Sequence, residues 1–406
     1  PPLPPKYLHS PSPMFTSKQK PEEPPSAKPP PEECTLEMQK NKLLSSRPPA
    51  SFGGAFVCCY CSVAIWSGSK RKKKTERGLT VAKVTPPKGG RTLVSLFDTG
   101  SLLVLFATDD KQHPEPLARL SLLQIIGAIS TTPDALSLLL LPATELTHPT
   151  LSESFIAREK ERLREPGWEP DTVDARLEVW DIRVANADPI LTALRRAEEV
   201  LLPGRPADQL ACWHVVPEAR LEYVLPPSGD EPAGALAPTM RACITAIAPD
   251  APVTPHEHET EWVLDNLFEV NDRVSLDSAD FPAMSRWPVC LWQGFLTAVA
   301  ANRYFLELRL ANLSLPREAV LSLGTVLRDN RDLLSLRLVA CELKGDTAAS
   351  LLSTLSLRAS PFTSLRCLDL SFNPFDDRGV AGLAATLPML PSLRVLDLSH
   401  VGMKER

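Results

Sequence analysis

Apolar positions recur on one template through residues 303–406. FLELRLANLSL (305–315), LLSLRLVACEL (333–343) and LRCLDLSFNPF (365–375) share it, and LRVLDLSHVGM (393–403) is a fourth copy. Their starts are 28, 32 and 28 residues apart. Fifteen residues after each of the first three starts comes an apolar i, i+3, i+7 set. The sets are Val320, Leu323, Leu327; Ala348, Leu351, Leu355; and Val380, Leu383, Leu387. That spacing lines one face of a helix, whereas the pairs Leu308/Leu310, Leu336/Leu338 and Leu368/Leu370 have the period of a strand. Each unit therefore reads as a short strand, a turn and a helix.

The template is the leucine-rich-repeat pattern L-x-x-L-x-L-x-x-N-x-L, and units of this length with a full helix suit a ribonuclease-inhibitor type of solenoid. One unit cannot enclose its own apolar face, so neighbours stack into a continuous core. The residues between the leucines, Arg309, Arg337, Asp369 and Asp397, are then expected on the concave surface as a protein-binding face. Asn373 falls where such repeats place a turn-bonding amide. The other units put Leu313, Cys341 and Val401 there, so that ladder is incomplete. The four extra residues of the second unit fit a loop around Pro361. Upstream, VSLDSADF (274–281), with Val289, Trp292 and Leu296 behind it, reads as a worn first repeat. We assign residues 269–302 to an N-terminal cap and 303–406 to the repeats.

Between Leu79 and Gly204 the period changes. Alternating or continuous apolar runs at 79–84, 91–97, 101–107, 117–129, 134–141 and 177–184 predict strands. Asp98-Thr99-Gly100-Ser101 is a hairpin turn between two of them. A helix follows, with Asp188 as N-cap, Pro189 at its first position and a buried stripe of Ile190, Leu194, Ala197 and Leu201. A bent antiparallel sheet closed by one C-terminal helix is the layout of a pleckstrin-homology (PH) domain. We therefore expect an α+β PH-like barrel over 77–204, followed by the α/β solenoid. An inserted loop, 145–175, carries a charged and exposed helix, ESFIAREKERLRE. Residues 205–268 read as a connector, Pro/Ala-rich at 226–238.

Composition changes the picture mainly at the N-terminus. Of 41 prolines among 406 residues, 14 fall in the first 50. Such a segment cannot bury enough apolar surface to offset its ordering entropy, so 1–76 is read as a disordered tail. Its PPLPP and PPP patches could also dock on proline-binding domains. The net charge of −5 does not suggest wholesale nucleic-acid binding. Nine cysteines at irregular spacing, without a secretory signal, suit reduced thiols. A Pro-Pro start and an end inside a repeat suggest a fragment.

Candidate chemistry is sparse. The apolar run AFVCCYCSVAIW (55–66) is too short to span a bilayer. It precedes Lys70, Arg71, Lys72, Lys73 and Lys74, which form a candidate site for acidic lipid at roughly 1 kcal/mol per charge. Cys58, Cys59 and Cys61 beside it could be acylated, or the run could be a core strand. His256 and His258 have zinc-ligand spacing, but no third ligand is evident, and a polar loop is the simpler reading. SLFDTGSLLVLF (95–106) resembles the active-site loop of aspartic proteases, with Asp98 as the carboxylate. That chemistry needs a second such carboxylate, and no second Asp-Thr-Gly or Asp-Ser-Gly occurs, so only a homodimer could act. No phosphate-binding G-x-x-x-x-G-K-[ST] is present either. We expect no catalytic residues, metal or cofactor.

Local strings add a resemblance. ADPILTALRRAEEVLLPG (187–204), ETEWVLDNLF (259–268) and NPFDDRGVAGLAATL (373–387) are similar to the terminal PH helix, the junction and one repeat of the CARMIL family, the capping-protein regulators and myosin-I linkers. The resemblance covers about 78–406. It implies a non-catalytic actin-cytoskeleton scaffold at the inner face of the plasma membrane. Its PH-like domain would meet acidic phospholipid and its solenoid would meet protein partners. Actin capping protein and myosin I follow from the family alone, because the motifs that bind them lie beyond Arg406. The long proline-rich start and the 145–175 insertion depart from the family pattern. Another leucine-rich-repeat regulator, of innate-sensor or GTPase-regulator type, is the alternative.

Overall fold

The structure is a computed structural model. It describes residues 57–68, 79–84, 91–97, 102–108, 115–202, 208–221, 236–248, 273–277, 284 and 286–402. The basic cluster 70–74, the loop 98–101 with Asp98, and the pair His256/His258 lie outside the described residues.

The first sheet is organised by β1 (Val57–Gly68). Its second half pairs antiparallel with β2 (Leu79–Val84) and its first half with β3 (Arg91–Phe97). These two strands thus follow one another along the same edge of β1. Pro86-Pro87 and Gly89-Gly90 stand between them, residue types that interrupt a ladder. β8 (Glu178–Val184) pairs along the other edge of β1. Outward on one side run β4 (Leu102–Thr108) and β5 (Glu115–Ser121). On the other run β7 (Ala135–Leu140) and β6 (Ile125–Ser130).

The sequence assigned 1–76 to a tail, and this boundary requires correction. β1 is the central strand, and the apolar run at 55–66 supplies it. It joins β3 to β8, so the core-strand reading of that run holds and the tail boundary moves upstream of Val57.

The sheet is curled, as its own connectivity requires. β5 and β6 stand six strand positions apart in the order β5-β4-β3-β1-β8-β7-β6. In a flat sheet that is about 29 Å, yet the four Cα steps from Ser121 to Ile125 reach at most about 15 Å. The turn between them is tightly specified. Leu123 N donates to Ser121 Oγ, Ser121 N to Gln124 Oε1, and Gln124 Nε2 to the Leu141 carbonyl. This corner divides the run read as 117–129 into two strands.

Both faces of the β6-β7-β8 half are covered. On one lies α2 (Asp188–Leu201), which buries Ile190, Leu194, Ala197 and Leu201 against Leu136, Leu138 and Ile182. Asp188 is its first residue rather than its cap. Its N–H donates to Asn186 Oδ1, and its carboxylate pairs with Arg220. On the opposite face lies α1 (Glu153–Arg162), capped by Ser152. With Leu151, Leu163, Val173 and Leu177, its Phe155 covers Ile126, Leu139 and Val179. Gly127 admits this close packing: a Cβ there would meet Leu163 Cδ1 at 2.0 Å. The helix at 153–165 is therefore not the exposed element that its charges suggested. Glu159 is buried because Arg158 and Arg162 neutralise it.

The stretch 205–268 is more than a connector. β9 (Cys212–Val215) joins β6 in parallel, and α3 (Leu236–Ile247) packs between the two lobes. Met240, Cys243 and Ile244 enter the core of the second lobe, whereas Ala242 enters that of the first.

The second sheet is parallel throughout: β10 (Arg273–Asp277), β11 (Glu307–Ala311), β12 (Ser335–Val339), β13 (Cys367–Asp369) and β14 (Val395–Asp397). Behind the strands run α4 (Val289–Ala301), α5 (Arg317–Asp329), α6 (Gly345–Ser353) and α7 (Asp377–Thr386). Val274, Leu308, Leu336, Leu368 and Leu396 stand in register, and all but Leu396 are buried.

Candidate interaction surface

On the solvent side of the parallel sheet, register places Ser275, Arg309, Arg337, Asp369 and Asp397 in one row, one residue per strand. All are half-buried. Alternation alone dictates this, because the flanking leucines face the core. The four charged residues expected at the surface are thus brought side by side.

Their electrostatics divide the row. Arg309 Nη2 lies 3.2 Å from Asp277 Oδ2, and Nη1 donates to Ser275 Oγ at 3.3 Å. Arg337 Nε lies 3.5 Å from Glu307 Oε1, the carboxylate that Arg273 also approaches at 3.7 Å. The cationic half is therefore compensated by acids of its own strands. Asp369 Oδ1 accepts from Ser371 N at 3.0 Å and Ser371 Oγ at 2.7 Å. Asp397 Oδ1 accepts from Ser399 N at 2.8 Å. Hydrogen bonds from Ser399 hold the Asp397 carboxyl below the usual aspartate range. The C-terminal half of the row thus presents two adjacent carboxylates, capped by neutral groups.

The rim beside the row carries a feature that sequence reasoning missed. Asn312, Ala340, Phe372 and His400 each follow a strand and each adopts positive φ, between 50° and 58°. Their spacing repeats that of the strands. Phe372 is 55% exposed, and its ring stacks on His400 with centroids 4.6 Å apart. Asp277 and Glu307, the acids that pair the arginines, were also not singled out. They occupy the positions flanking the row on neighbouring strands, which the register alone reveals.

Between the lobes lies a cavity of about 260 Å³, walled by Leu122, Leu123, Leu146, Leu194, Leu201 and Trp213. Its charged rim groups have partners. Arg331 meets Asp208 and Glu153, and Glu198 accepts from Trp213 Nε1 and pairs with Arg195. Burial pushes the Glu198 carboxyl up. Among the described residues, no cluster of three His, Cys, Asp or Glu side chains has metal-binding geometry, and no helix is long and apolar enough to cross a membrane.

No protein-family model and no curated protein sequence matches the chain.

Proposed function

We propose that the chain is a non-catalytic scaffold of the actin cytoskeleton, in which a PH-like lobe meets acidic membrane and a leucine-rich-repeat solenoid holds protein partners. The observation that carries this reading is the pairing of two architectures. One is a curled antiparallel sheet with its central strand between β3-β4-β5 and β8-β7-β6, followed by a packed helix. The other is a parallel sheet whose inward leucines, Leu396 excepted, are buried and whose charged row is half-exposed on the opposite side. The CARMIL resemblance suggests the same combination, and with it a location at the inner face of the plasma membrane and a link to actin capping protein. The acidic end of the row, Asp369 and Asp397 beside Phe372, suits a partner segment bearing Lys or Arg.

The hairpin reading of 98–101 is favoured over an aspartic-protease loop by its flanks. β3 and β4 pair antiparallel up to Phe97↔Leu102, the geometry of a direct strand-to-strand turn. Membrane binding would then rest on charge, with Lys70, Arg71, Lys72, Lys73 and Lys74 adjoining the end of β1.

Liposome co-sedimentation tests the reading. Binding should rise with anionic lipid content and fall by at least tenfold between 50 and 200 mM salt, on the order expected when five charges act together. Replacing the five basic residues by Gln should abolish it. Binding that ignores salt, lipid charge and these substitutions would refute the membrane assignment.

A further inference from the structure

We infer that the two lobes are one mechanical unit, locked by a buried charge clasp centred on Arg328 and Glu145, which fixes the angle at which the two lobes are presented. This inference is independent of what either lobe binds.

Three consecutive residues of the turn after β7 are each held by a side chain from the solenoid helices. Arg328 Nη1 lies 3.0 Å from Glu145 Oε2, Thr297 Oγ1 donates to Leu146 O at 2.8 Å, and Ser322 Oγ donates to Thr147 O at 3.0 Å. These pairs span more than 150 residues of chain. Both charges of the central pair are almost fully excluded from solvent, at 4% and 3% side-chain exposure.

The Glu145 carboxylate is saturated. It also accepts from Thr150 N, Thr150 Oγ1 and Leu151 N, so it shapes the loop leading into α1. Burial opposes the Arg328 charge, but Asp329 and Glu145 outweigh it and hold the guanidinium above its ordinary pKa.

A second clasp sits at the edge. Arg331 bridges Asp208 at 2.8 Å and Glu153 at 3.7 Å, while Glu153 Oε2 accepts from Ala359 N at 2.8 Å. The apolar cores are also continuous, because Leu123 packs against both and α3 contributes to both.

Such a pair differs from a surface salt bridge in what its loss does. Removing one partner while the lobes stay packed strands a buried charge, so the boundary tolerates substitution on neither side and admits only the arrangement in which Arg328 and Glu145 meet. The convex side of the solenoid at α4 and α5 is thereby occupied by the chain itself.

Hydrogen exchange by mass spectrometry and calorimetry on the full chain test this. The wild type should melt in one transition, with residues 143–152 and 317–332 losing protection together. Thr150→Asp changes an exposed residue but sets a carboxylate beside Glu145. It should speed exchange in both segments by roughly tenfold or more and split the transition, as like-charge repulsion near a low-dielectric site predicts. Thr150→Val removes the hydroxyl without adding charge and should stay near wild type. Arg328→Met should resemble Thr150→Asp, and if it fails to fold the Thr150 pair decides. The inference falls if the wild type melts in two steps. It also falls if Thr150→Asp leaves both segments unchanged, or if Thr150→Val matches it.

Discussion

Buried polar side chains do at single positions what the leucines do along whole strands. Asn373, 1% exposed, accepts from Cys341 N and Leu343 N and donates to the carbonyls of Leu338, Leu370 and Ser371. It closes the turn of the preceding unit as well as its own. Asn373→Ala leaves two buried amides without acceptors, and we expect a loss on the order of 3 kcal/mol in chemical denaturation. A loss below about 1 kcal/mol would mean that water or relaxation replaces the amide.

The template made Asn373 legible in the sequence, because it sits at the N position of the repeat. A second polar series at the other end of the units was not legible. Asn302 Oδ1 accepts from Tyr304 N and Phe305 N, and Asn330 Oδ1 from Asp332 N and Leu333 N. Asn330 Nδ2 also reaches back to Val299 O and Asn302 O. Twenty-eight residues further on, Arg358 takes over, donating to the Leu327, Arg328 and Asn330 carbonyls at 2.7, 2.8 and 3.0 Å. A cation and an amide serve the same carbonyl-capping role, so the change of residue type hides the period.

Within the second lobe, neighbouring elements are fitted through small residues and caps. Asp376 caps α7 through Oδ1, which accepts from Arg378 N and Gly379 N. Gly345, the first residue of α6, lies against that carboxylate: a Cβ there would fall 1.7 Å from Asp376 Oδ1. Asp376→Ala should cost about 1 kcal/mol as a lost cap. Gly345→Ala should cost at least as much, because it expels the same cap, but markedly less in the Asp376→Ala background. A double-mutant cycle in urea checks this, and additive losses would show that the glycine acts independently of the cap.

Elements with strong periods could be read from sequence: the stripe of α2, the helices behind β11 and β12, and the strand runs. The elements misread were those whose polarity depends on partners. For β1 a core strand is one of the readings of 55–66, but its charged and proline-rich flanks draw the run into the 1–76 tail. α1 reads as exposed because its buried Glu159 looks like any surface glutamate until Arg158 and Arg162 fold over it. β9 has four residues, two of them half-buried, too few to show a period.

For the molecule as a whole, what the sequence could not show is how the lobes meet. Arg328 and Glu145 are 183 residues apart, and neither lies in a motif. Burial of both is visible only once α5 and the turn after β7 share a boundary. That boundary leaves the row from Arg309 to Asp397 on the far side of the parallel strands, with a stacked Phe372 and His400 at its acidic end. A scaffold reading requires that this side stay open while the chain sits on a membrane.

Side-chain footprinting on anionic vesicles measures this most directly. Amine labelling of Lys70, Lys72, Lys73 and Lys74 should drop on binding, while hydroxyl-radical oxidation of Phe372 and Tyr304 should stay at its free-solution level. Loss of reactivity at Phe372 with the lysines still labelled would contradict the account, because the face assigned to partners would then be the one that meets the lipid.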